Sequence, residues 1–174
     1  MKTKWGKWII AAAGIGIATA AWAQAPNDAQ IAAIVVTANQ VDIDAGRLAE
    51  TRGASAEVKA YGKQMVTDHT GVNKQATELV TKLGVKPEDN PTAQSLKSGG
   101  ADNIQNLKTL SGAAFDKAYI DHEVEYHQAV LDALDKTLIP SAQNAELKAL
   151  LVKVRPAFMA HLEKAKQIQA SLGK

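Results

Sequence analysis

The 174-residue chain has 20 basic and 18 acidic side chains and no cysteine, which excludes disulfides and thiolate metal ligation and leaves stability to core packing. The positive excess belongs to the first 23 residues. The other 151 hold 17 basic and 18 acidic groups, so no basic face for nucleic acid is expected, and their number suits one domain.

Residues 1–23 read as a secretory signal. Lys2, Lys4 and Lys7 precede an uncharged run from Trp8 to Ala20, and Ala21-Trp22-Ala23 has the small-x-small form of a cleavage site. The run is shorter than the roughly 20 residues that span a bilayer as a helix. Cleavage before Gln24 is expected to release a periplasmic domain, 24–174, with no transmembrane segment and none of the three tryptophans, Trp5, Trp8 and Trp22.

The first helix is predicted over 28–52, capped by Asp28 and ended by Gly53. Its apolar seam is Ile31, Ile34, Ala38, Val41, Ala45, Leu48, and beside it runs Val35, Asp42, Ala49, a stripe interrupted by a carboxylate. Ser55 caps the second helix, which ends at Leu83-Gly84 and carries His69 in the seam Val58, Tyr61, Met65, His69, Val72. Residues 85–111 read as a long connection broken by Pro87, Asn90-Pro91, Gly99-Gly100 and Ser111-Gly112, with a short helix over 102–110. The third long helix, from Gly112 to Ile139-Pro140, places His127 between Val124 and Leu131. The fourth, from about Ser141 to Leu172, places His161 between Phe158 and Ala165, and Pro156 predicts a kink or brief break in it. No strand-like alternation is present, which argues against an outer-membrane barrel.

Two short loops and one long connection predict an all-α, ferritin-like four-helix bundle with the crossover between helices 2 and 3. His69 and His127 then lie at equal depth on parallel helices, about 15 residues from their starts, or roughly 22 Å.

Three histidines in three separate seams, with Asp42 or Asp68, form the type of ligand set that holds zinc, iron, manganese or copper. Asp68 adjoins His69 but is rotated about 100° around the helix. Glu123 stands one turn before His127 and is placed to ligate or to orient that imidazole. His122 lies off the seam and reads as an exposed or packing residue. Tyr61, Met65, Phe115, Tyr119, Tyr126 and Phe158 read as core, with the tyrosine hydroxyls in reach of the histidines. The di-iron signature, glutamate three residues before histidine, is not present: Val66, Val124 and Phe158 occupy those positions. No nucleophile motif and no phosphate loop appears, so no catalytic residues are assigned. Two readings stay open: a periplasmic metal-binding bundle linked to envelope or oxidative stress, and a metal-free helical interaction module with a partner in the envelope.

The segments AYGKQMVTDH (Ala60 to His69) and LSGAAFDKAY (Leu110 to Tyr119), with the later His127 and His161, resemble the bacterial domain of unknown function 4142. Members are exported proteins, often labelled predicted outer membrane proteins and grouped with ferritin-like folds. The resemblance covers about residues 28–170 and implies a fold but no established activity. Asp42 stands where the family usually has glutamate.

Overall fold

The computed structural model describes residues 25–173, so the expected signal peptide and the tryptophans lie outside the described residues. The helices are α1 (Asp28–Arg52), α2 (Ala56–Lys82), α3 (Pro91–Thr109), α4 (Gly112–Ala133) and α5 (Ala145–Leu172); a π-helical segment (Leu134–Leu138) and one last turn (Ile139–Ser141) extend α4. The described residues contain no strand. No helix among them is long and apolar enough to cross a membrane.

Local chemistry sets the ends. Asn27, not Asp28, caps α1: its side chain accepts from Gln30 N–H at 2.9 Å while Gln30 returns the bond to the Asn27 backbone, a reciprocal capping box. Asp28 is used elsewhere, its two carboxylate oxygens accepting from the N–H groups of Gln143 and Asn144, both at 2.9 Å. That contact pins the turn before α5, whose cap is Asn144, so the helix starts a few residues later than Ser141. Ser55 caps α2 as expected, and Gly84 turns the chain out of it at φ +65°.

The connection 85–111 departs most from expectation, being chiefly a 19-residue helix. Asn90 caps α3, with Pro91 in its first turn. Its buried residues are Ala93, Gly100 and Leu107, one per heptad. At Gly100 a Cβ would lie 2.7 Å from Val41 Cγ2, so the glycine that reads as a breaker is what lets α3 lie against α1. The Asn90 amide donates to the Gln30 carbonyl at one end of α3, and the Arg52 guanidinium donates to the carbonyls of Lys108 (3.1 Å) and Leu110 (2.9 Å) at the other. These ties make α3 run in the direction of α1, which returns the chain so that α2 and α4 point the same way. The segment Leu110 to Tyr119 completes the link: Gly112 adopts φ +60°, and Asp116 accepts from the N–H groups of Ala54 (2.7 Å) and Ser55 (2.8 Å), fastening α4 to the α1–α2 turn.

Helices α1 and α2 cross closely at a pair of glycines. A Cβ on Gly46 would meet the Gly62 carbonyl at 2.7 Å, and one on Gly62 would meet the Gly46 carbonyl at 2.7 Å. α5 continues unbroken through Pro156. The carbonyl that proline leaves without a helical partner belongs to Val152, itself 51% exposed, so solvent can satisfy it.

The core has two apolar halves. One contains Ile31, Val35, Val72, Leu131, Leu151 and Phe158; the other contains Ala45, Met65, Phe115, Tyr119, Ala165 and Ile168. On every long helix of the four the boundary falls at the same level: between Val35 and Ala45, Met65 and Val72, Ile120 and Leu131, Leu162 and Ala165. A buried polar layer fills that boundary.

Candidate metal centre

The layer contains Asn39 and Asp42 from α1, His69 from α2, Glu123 and His127 from α4 and His161 from α5, all buried. Ring centroids lie 5.6 Å apart for His69 and His127, 5.2 Å for His69 and His161, and 5.4 Å for His127 and His161. A ring nitrogen of each histidine lies within 4.8 Å of one from each of the others, and Asp42, Glu123 and His127 meet the same limit. Donors bound at 2.0–2.1 Å to one ion sit at most about 4.2 Å apart. Three donors sharing one ion at that distance sit about 3.4–3.6 Å from one another, so inward shifts of up to about 0.8 Å would close the three imidazoles on an ion.

The hydrogen bonds fix the proton on each ring. Asn39 donates its amide to the Val35 carbonyl at 2.8 Å, which orients its oxygen toward His69 Nδ1 at 2.7 Å. That oxygen only accepts, so Nδ1 carries the hydrogen. His127 Nδ1 donates to the Glu123 backbone carbonyl at 3.0 Å. His161 Nε2 donates to the Asp68 carboxylate at 2.8 Å. The remaining nitrogens, His69 Nε2, His127 Nε2 and His161 Nδ1, have no hydrogen-bond partner, and the Glu123 carboxyl makes no close one, its polar neighbours being the Asp42 carboxyl and the hydroxyls of Tyr61 and Tyr119. Each of these nitrogens is an unprotonated lone pair, and each ring is held from behind, as ligating histidines are.

Burial, reinforced by the neighbouring imidazoles, lowers His69 to about 2 and His127 to about 3, and burial lowers His161 as well. All three are neutral, the form that binds metal. Burial pushes the carboxyls of Asp42 and Glu123 well above their usual range, and for Glu123 the nearby Asp42 adds to the effect. Asp42 Oδ2 lies 3.6 Å from His69 Nε2, and Glu123 Oε2 lies 3.4 Å from His127 Nδ1.

His69, His127, His161 and Asp42 thus meet. Glu123 is wholly buried and presents its carboxyl to this layer, in addition to anchoring His127 through its backbone. Asp68 takes a different place, with its side chain 40% exposed and one oxygen bonded to His161. The 100° rotation from His69 carries it behind the neighbouring ring. His122 stacks on Tyr126 at 5.6 Å and stays out of the cluster. The tyrosine hydroxyls do not reach the imidazoles: Tyr61 donates to the His161 carbonyl (3.3 Å) and Tyr126 to the Ala38 carbonyl (3.0 Å). Phe158 stacks on His69 at 5.1 Å. Asn39 is the residue that sequence reasoning overlooks, although Val35, Asn39, Asp42, Gly46 and Ala49 repeat at four and three along one buried face.

The pattern that defines the domain of unknown function (DUF4142) matches residues 16–168. The chain belongs to the DUF4142 family. No curated protein and no solved structure matches it. Within this DUF4142 chain the segments Ala60 to His69 and Leu110 to Tyr119 divide their work. His69 belongs to the polar layer and Asp68 orients His161 in it, with Met65 packed in the apolar half beside them, whereas Gly112, Phe115, Asp116 and Tyr119 join α4 to the first hairpin and fill its core.

Proposed function

We propose that this protein is a metal-binding bundle that holds one divalent transition ion on His69 Nε2, His127 Nε2 and His161 Nδ1, with Asp42 and Glu123 supplying carboxylate. The observation that carries this reading is the set of three unpartnered nitrogens whose other ring positions are anchored from outside. A polar layer kept only to fix helix register should satisfy its own donors and acceptors. Charge supports a divalent ion: three neutral imidazoles and two carboxylates sum to −2, so such an ion leaves the buried site neutral. Imidazole with carboxylate suits zinc, iron, manganese or copper.

The directions of α2 and α4 support a ferritin-like arrangement, and the sequence of residues 1–23 supports export to the periplasm. Binding a redox-active ion away from water suits a role in envelope or oxidative stress. Elemental analysis of protein purified from the periplasm tests the assignment. At a free metal concentration a hundredfold above Kd the fold should gain about 2.7 kcal/mol. His127→Ala should abolish the rise in melting temperature and His122→Ala should keep it; a native protein free of metal, with no rise on titration, would overturn the reading. Export predicts a chain starting at Gln24 that emits tyrosine but no tryptophan fluorescence.

A further inference from the structure

One half of the apolar core is incompletely filled. A cavity of about 170 Å³ lies between α1, α3, α4 and α5, and Asn39, Asp42 and His69 line it on the side of the polar layer. The remaining walls are nearly all apolar, with Ile34, Leu134, Leu151 and Phe158 among them. The Tyr126 hydroxyl, also on the wall, is occupied by the Ala38 carbonyl. At the far end the lining passes to Thr92, Ala129 and Ala133, which are exposed, so the cavity opens to the surface there.

Protein interiors pack at nearly crystalline density, and a void of this size departs from that rule. The π-helical segment helps keep it open. Pro140 has no N–H to give, and the Ile139 N–H reaches back five residues to the Leu134 carbonyl. The widened turn sets Leu134 and Leu138 along the cavity wall, and π turns of this type occur frequently at functional sites. A route from the surface to one edge of a polar layer, walled by apolar side chains, is more than a packing fault.

We infer that this cavity is a binding site for a small, neutral, mainly apolar molecule, held with one end against the His69–Asp42 edge of the centre. An apolar cavity of about 150 Å³ stays dry and takes benzene or xenon. A hydrated ion would find nothing along these walls to replace its water, so the route selects against charge. The inference goes beyond the metal reading, because the cavity needs no ion to accept an apolar guest.

Fluorobenzene followed by fluorine NMR tests it. Metal-free protein should broaden the signal saturably, and benzene should compete. Ala129→Phe and Ala133→Phe, both at exposed positions of α4, should weaken binding at least tenfold without lowering the melting temperature. Broadening that does not saturate, or that both variants leave unchanged, would overturn the site. If the variants do not fold, crystals of the native protein under xenon decide: xenon in the cavity supports the inference, and xenon only elsewhere sinks it. Co2+ separates the two readings. Enhanced relaxation of the bound fluorine supports placement beside the centre, and its lack in Co2+-loaded protein refutes that placement. Binding of fluorobenzene with no effect of Co2+ on melting would remove the metal and leave the cavity.

Discussion

The carboxylate of Asp68 on α2 accepts a hydrogen bond from His161 Nε2 on α5 at 2.8 Å, which turns His161 Nδ1 toward the rings of His69 and His127. Asp68→Ala should leave the fold largely intact, because the side chain is partly exposed, but it should weaken metal binding by about 10–100-fold. Asp68→Asn keeps an accepting oxygen and should lose less. A competition titration against a chelator measures both, and equal affinities for the native protein and Asp68→Ala would contradict the orienting role.

Glu123→Gln should act in opposite directions on the two states of the protein. Without metal it removes a buried carboxyl whose ionisation burial opposes, so the melting temperature at pH 8 should rise. With metal it removes a charged donor, so affinity should fall. Melts at pH 8 with and without Zn2+ check both signs.

The dependence on pH follows from the same groups. The imidazoles of His69, His127 and His161 sit below their usual 6.5 in the fold. Below that pH the unfolded chain binds more protons, and stability declines as pH falls. Asp42 and Glu123 sit above their usual 3.8 and 4.5, so the fold retains protons that the unfolded chain releases, and their contribution is lost as pH rises through the raised values. Between 4.5 and 6.5 the two effects oppose each other. Above 6.5 the carboxyl effect alone remains, and the metal-free melting temperature should fall with rising pH until the raised values are passed. A bound cation favours the ionised carboxylates and should flatten or reverse that slope, which a series of melts in matched buffers would reveal.

Gly62→Ala should destabilise the protein by about 1–3 kcal/mol, since the new methyl would meet the Gly46 carbonyl, which belongs to a helix backbone and cannot swing aside. Gly71→Ala, where a Cβ would meet nothing within 4 Å, is the control and should be neutral or slightly stabilising. Urea unfolding of the two variants measures the difference.

The four seams were legible because each helix buries large apolar residues every three or four positions, and the histidines stand out among them. Only the second half of helix α3, near 102–110, was legible, and the first half was not, for a physical reason. The helix buries only Ala93, Gly100 and Leu107, and its tightest contact is made by a residue with no side chain. Periodicity detects bulk, and α3 packs by lacking it. Asn39 went unread for a related reason: a single amide on a helix says nothing of its partner until α2 brings His69 beside it. The separate duties of Asp68 and Glu123 depended on where α5 lies, which spacing along α2 and α4 does not encode.

The three rings differ in how their anchors are inherited. Asn39 and Asp68 are side chains, and one substitution at either position would free a ring to turn. His127 is anchored by a main-chain carbonyl of its own helix, one turn back, which is present whatever residue stands at position 123. Its orientation therefore travels with the helix itself. A lineage losing the centre by gradual change would be expected to let His69 or His161 wander first, with His127 still aimed inward at an emptied site.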